Sequence, residues 1–259
     1  MPAEAATETM PLETYLAEGG KLTSPLAAPP RYRAELLRLM ASFVDSELAG
    51  AAGFADTINE APGLKERIAA ARIVLEKTDH AERVLAIMAE FGADAARYAT
   101  RHPWEARLPR DTDIGQARAG DDMRLSVFHY PLAGWTDAVT MNVLMGEATV
   151  IQLTELARGS YQPLAETFRA ILPRERRHFE LGVEGLRRIL ETPEGRAEAA
   201  ASLAYWRPRV AATFGQAGSA RFEALRRHGL RHVPNEALLA DWTRATDARL
   251  AALGLGDAP

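Results

Sequence analysis

Leu75-Glu76-Lys77-Thr78-Asp79-His80, set against Glu175-Arg176-Arg177-His178, is the comparison that decides how this chain folds. Each run places a histidine three residues after a charged side chain, a spacing that puts both on one face of a helix. An acid on an otherwise apolar helical stripe precedes each run: Glu47 lies 30 residues before Lys77, and Glu147 lies 28 residues before Glu175. The chain therefore reads as two hairpins of the same chemical design. Four long helices are expected, with acids and imidazoles at matching depth on their buried stripes.

Working outward from these residues, hydrophobic periodicity extends each stripe. Leu36, Met40 and Phe43 lead to Glu47 on a helix predicted over 31–54. The next, over 62–91, opens at Pro62 and stops at Gly92, with Ile73, Val84, Ile87 and Phe91 around Lys77 and His80. A third, over 135–158, sets Glu147 among Thr140, Leu144, Ile151 and Thr154. The fourth, over 162–190, holds Glu175 and His178 between Leu164, Phe168 and Ile171 on one side and Gly182 and Ile189 on the other. Pro173 is expected to kink it, and Gly182 to allow close helix approach. Shorter helices are predicted over 193–214, 221–227 and 235–253. The stretch 102–131 is punctuated by Pro103, Pro109, Gly115, Gly120 and Pro131, and reads as irregular. It leads into Phe128, His129, Tyr130 and Trp135, which read as a plug over one end of the bundle. Residues 1–30 read as a tail or docking arm, and 31–259 as one helical domain. No segment alternates with a strand's period, so the fold class is all-α.

Composition narrows the chemistry. The 259 residues carry 31 Lys and Arg against 35 Asp and Glu, a net charge of −4, which argues against a phosphate-binding surface and nucleic acid. There is no cysteine, so disulfides, thiolate catalysis and iron–sulfur clusters are excluded, and any metal must sit on His, Asp and Glu. No apolar run has the length of a membrane span and no signal pattern opens the chain, so the default compartment is the cytoplasm.

A four-helix bundle that binds two metals uses a Glu from each of two helices and Glu-x-x-His from each of the other two. Glu175 to His178 fits that rule, and Glu47 and Glu147 supply the single acids. The run ending in His80 has Lys77 where Glu belongs. Burying several carboxylates without a cation is costly, so the stripe acids call for metal ions or for a buried Lys or Arg. Two readings of Lys77 follow. In one, its ammonium replaces metal charge beside Glu47 or Glu175. In the other, which is favoured because five of the six site positions keep ligand chemistry, Glu76 serves as the ligand, Lys77 tunes the site or delivers protons, and the chain is an oxygen-activating enzyme. The bland alternatives are that Glu147 is a buried acid held by an arginine or a backbone group, that His80 is a hydrogen-bonded core histidine, and that Glu76 is solvated beside Arg83. Asp45 and Asp79 read as surface charges. His129, His228 and His232 have no evident partner in sequence.

Over about 31–214 these residues resemble the phenylacetic acid catabolic family, the ferritin-like subunits of phenylacetyl-CoA epoxidase, and are most similar to the catalytic type. The resemblance rests on Ser46-Glu47-Leu48, Ala61-Pro62-Gly63-Leu64, Lys77 to His80, Phe128-His129-Tyr130-Pro131 with Trp135 and Asp137, Ser160-Tyr161 with Pro163, and Glu175 to His178 followed by Phe179. It implies a ferritin-like bundle with additional C-terminal helices. It also implies a di-iron centre that uses O2 to oxygenate an aromatic acyl-CoA, a reductase as electron donor, and a homologous ferritin-like partner subunit. Glu47, His80, Glu175 and His178 match ligand positions. Lys77 stands where a ligand carboxylate is expected, and Gly146 stands where the third-helix acid would fall, with Glu147 beside it. Metal-free subunits of such complexes likewise keep the fold while losing ligands.

Overall fold

The computed structural model describes residues 10–117 and 120–256. Nine α-helices run through them: α1 (Leu12–Ala17), α2 (Pro30–Thr57), α3 (Leu64–Glu90), α4 (Ala95–Ala99), α5 (Trp135–Leu156), α6 (Gln162–Ile189), α7 (Pro193–Ala211), α8 (Ala220–Arg227) and α9 (Asn235–Ala252). No β-strand occurs among the described residues, and the fold is all-α, as expected. None of these helices is long and apolar enough to cross a membrane. Helices α2 and α3 form one hairpin and α5 and α6 the other, and α3 packs on α6 to join them. The outer helices α7 and α9 lie against α5.

Local chemistry sets the helix ends. Asp94, Thr192 and Ser219 accept hydrogen bonds from the first-turn N–H groups of α4, α7 and α8, satisfying donors that the helix itself leaves free. Gly134, at φ +99°, starts α5 from a backbone conformation that side chains disfavour. Pro173 lies inside α6, which continues as one helix from Gln162 to Ile189.

Two apolar layers divide the bundle. One gathers Met40, Val44, Ala81, Val84, Phe168 and Ile171. The other gathers Ala49, Phe128, Leu144, Phe179, Val183 and Trp206. Along α2 and α6 the chain passes from the first layer to the second, and Glu47, Glu175 and His178 fall at the changeover. The polar groups therefore form a thin slab between two dry layers, where burying an unpaired charge is most costly.

Several expectations need correction. Asp45 is fully buried rather than on the surface: it accepts hydrogen bonds from the Tyr98 hydroxyl at 2.8 Å and the Met123 N–H at 2.7 Å. It thereby fastens the irregular stretch to α2. Thr154 is exposed instead of inward. The short helix α4 falls in a stretch with no helix expected. His232 has a partner in Glu155, and His228 lies edge-on to Tyr32. Within the first thirty positions, the described part packs on the body: the Leu22 N–H donates to the Ser160 carbonyl and the Gln162 N–H to the Leu22 carbonyl, each at 2.8 Å.

Glu155 anchors the turn before α9. Burial pushes its carboxyl up, but bonds from the His232 side chain and the Val233 and His232 N–H groups outweigh burial and bring it down to about 2. A depressed acid contributes stability that is present above its unfolded value of about 4.3 and lost as pH falls through the folded value. Unfolding free energy should therefore drop between about pH 4.5 and pH 2. Glu155→Gln should flatten that slope by roughly 2–3 kcal/mol in urea titrations across the range.

Candidate functional site

Five side chains meet between the two hairpins. The Lys77 ammonium lies between two carboxylates, donating to Glu47 Oε1 at 3.1 Å and Glu175 Oε1 at 3.2 Å. His80 sits one turn along α3, with Nδ1 3.2 Å from Glu47 Oε2 and 3.1 Å from Glu175 Oε1. Both neighbours are acceptors, so Nδ1 carries a proton and donates. His178 brings Nδ1 to 3.3 Å from Glu175 Oε1. Glu47, Lys77, His80, Glu175 and His178 are all buried.

Electrostatics here are decided by pairing rather than burial. Burial pulls Lys77 down, yet the charges of Glu175 and Glu47 more than offset it and hold the ammonium above its ordinary value. Burial pushes Glu175 up, but Lys77 and the two histidines outweigh it and keep this carboxyl well below the usual range. His80 is raised: its bonds to Glu175 and Glu47 overcome desolvation. The slab thus holds its own counter-charge.

The remaining expected site residues lie elsewhere. Glu76 is half-buried, and its Oε2 is 2.7 Å from His178 Nε2, on the ring edge opposite the one that faces Glu175. It therefore reaches the cluster through His178, while Lys77 occupies the place between the Glu47 and Glu175 carboxylates. Glu147 is not brought to the cluster. Its carboxylate turns toward α9, 3.8 Å from Arg249 Nε, and burial raises its pKa more than Arg249 lowers it. The expected inward placement fails because α5 presents Gly146 to α6 and turns the next residue aside. A Cβ on Gly146 would lie 3.0 Å from Phe179 Cβ and 3.2 Å from its backbone Cα.

Other residues shape the pocket without having been singled out for it. Gly50 on α2 leaves room for Phe128 and the Lys77 stem; a Cβ there would lie 3.2 Å from the Phe128 ring and 3.5 Å from Lys77 Cδ. Phe128 thus packs at Gly50 within the apolar layer that borders the cluster. Asn142 donates from Nδ2 to the His178 carbonyl at 3.0 Å. It reaches there only because position 182 is glycine, where a Cβ would come within 2.5 Å of that amide nitrogen. A glycine inside α2 and an asparagine inside α5 were the available signals, since both weaken a helix unless packing requires them.

Glu47, His80 and Glu175 each offer one ligand atom, all within 4.8 Å of one another, a trio with the chemistry to hold one metal ion. A pair of ions does not fit. The space between the two carboxylates is taken by an ammonium, which has donors only and repels a cation. On α5 the close contact of Gly146 with Phe179 leaves no room for another acid.

The bundle and its buried carboxylate–histidine slab are those of a ferritin-like protein. The family model described as phenylacetic acid catabolic protein matches residues 21–258, and the chain belongs to that family. No curated protein matches the chain at the significance sought.

Proposed function

We propose that this chain is a metal-independent ferritin-like subunit of a multicomponent oxygenase of phenylacetate type. It would support a ligand-complete homologue that receives electrons from a reductase and acts on an aromatic acyl-CoA. The observation that carries this reading is the Lys77 ammonium bonded to both Glu47 and Glu175. One fixed positive charge supplies in the folded chain what metal ions would otherwise supply. Membership of a family whose proteins work in multi-subunit complexes supports the assignment.

A second reading is an oxygenase with a single iron held by Glu47, His80 and Glu175. It is favoured by that trio's spacing and by a cavity of about 290 Å³ beside Glu47, walled by Phe43, Phe128, Met145 and Phe214. Elemental analysis of protein made in iron-supplemented medium separates the two. The expected result is no stoichiometric metal, with a melting curve unmoved by chelator or by Fe(II). Retention of one ion per chain, lost in Glu175→Gln, would favour the enzyme.

A further inference from the structure

The cavity beside Glu47 has two unlike ends. It encloses about 290 Å³ between α2, α5 and the segment 213–235 that carries α8. Its inner end is buried, at Glu47, Phe128 and Met145, whereas Gly215, Gln216 and Arg221 at the other end are exposed. Arg221 Nε lies 3.8 Å from Glu35 Oε2, which sets the open end beside the first turns of α2. Twelve residues, about 18 Å of helix, separate Glu35 from Glu47. Between them the walls are apolar: Leu39, Phe43, Leu153, Phe214 and Leu225.

The open end carries positive charge that the chain does not fully answer. Arg221 and Arg231 both line the cavity. Arg231 Nε is buried without a hydrogen bond, 3.9 Å from a Glu155 Oε1 that already accepts from the His232 and Val233 N–H groups. Burial lowers both guanidiniums below their ordinary values. The charge of Arg38 acts the same way on Arg221, and that of Arg221 on Arg231, while Glu35 and Glu155 offset this only in part.

We infer that this cavity binds an apolar monocarboxylate, its chain lying between α2 and α5 and its carboxylate held by Arg221 and Arg231. A guanidinium fork matches a carboxylate through two parallel hydrogen bonds. The reverse orientation would press the carboxylate against Glu47 at the inner end, like charge on like charge. A cavity of roughly 150 Å³ holds a benzene, so this larger one takes a medium-length alkyl or arylalkyl chain. The site needs no metal, and it goes beyond either reading of the Glu47 cluster.

Calorimetric titration of the full chain with decanoate, chelator present, tests the inference. Decanoate should bind saturably, one per chain, and raise the melting midpoint. Decanol, which lacks the charge, should bind about tenfold more weakly, and decylamine not at all. Arg221 is exposed, so Arg221→Met leaves the core intact. It should cost decanoate about tenfold and leave decanol unmoved. Thr149→Trp, which sends an indole into the cavity from α5, should abolish binding of both with helical circular dichroism unchanged. Decanoate that does not bind, that binds no better than decanol, or that ignores either substitution overturns the inference. So does binding of decanoyl-CoA where decanoate fails, since its acyl group carries no carboxylate.

Discussion

Lys77→Met is expected to lower the unfolding free energy by about 3–5 kcal/mol, because it leaves two buried carboxylates facing each other without a cation. Methionine fills much of the volume of the lysine stem, so packing against Phe128 and Gly50 is largely kept. The loss is therefore electrostatic. Part of it relaxes as one acid takes up a proton: Glu175, held well below the usual range chiefly by Lys77 against the pull of burial, would rise once that charge is gone. The destabilisation should consequently shrink as pH falls toward 4, the opposite of the wild-type trend from Glu155. Urea unfolding at pH 7 and pH 4.5 measures both. The sharper check is the variant that also carries Glu47→Gln and Glu175→Gln. Removing both acids with the lysine should recover most of the loss, since a buried polar cluster costs little once no charge is left unpaired. If Lys77→Met alone is as stable as the parent, the ammonium is not the counter-ion of the slab.

Lys77→Glu should have the second large effect. It puts a third carboxylate beside Glu47 and Glu175 and completes Glu-x-x-His on α3. Without metal this variant should be less stable than Lys77→Met, because like charges now crowd a dry layer. With a divalent cation it should recover, since a ligand that binds only the folded state stabilises it, by about 4 kcal/mol when present at a thousandfold excess over its dissociation constant. The expected stoichiometry is one ion per chain rather than two, because α5 supplies no acid at Gly146. Calorimetric titration with Mn(II) or Co(II), alongside melting curves with and without chelator, reads out both quantities. A variant that stays folded but shows no metal-dependent shift would mean that the geometry of the pocket, and not its charge, excludes cations.

The helices were largely legible because apolar periodicity in 31–54, 62–91 and 162–190 is set by burial, and burial is what organises a bundle. The meeting of Glu47, His80, Glu175 and His178 was legible for the same reason: an acid on an apolar stripe has nowhere to go but inward. Glu147 misled. Its stripe position is one residue from Gly146, a difference of about 100° around the helix, and only the packing of Phe179 decides which of the two faces α6. Asp45 misled in another way. Its partners, the Tyr98 hydroxyl on the short helix α4 and the Met123 N–H in the irregular stretch, have no periodicity to announce them. For Glu76 and Lys77, adjacent on α3, the sequence left two roles open. The fold separates them by sending one carboxylate to the outer edge of the His178 ring and one ammonium between the Glu47 and Glu175 carboxylates.

The contact of Gly146 with Phe179 bears on how this pocket could be re-engineered. Two helices that pack this closely resist any bulk between them, so an acid placed at position 146 would wedge the bundle apart before it could capture an ion. Exchange at Lys77 is a matter of charge and can be undone by one substitution; closure at Gly146 is a matter of shape and needs neighbours to retreat first. The pocket is therefore adjustable in charge at one position and fixed in shape at the other.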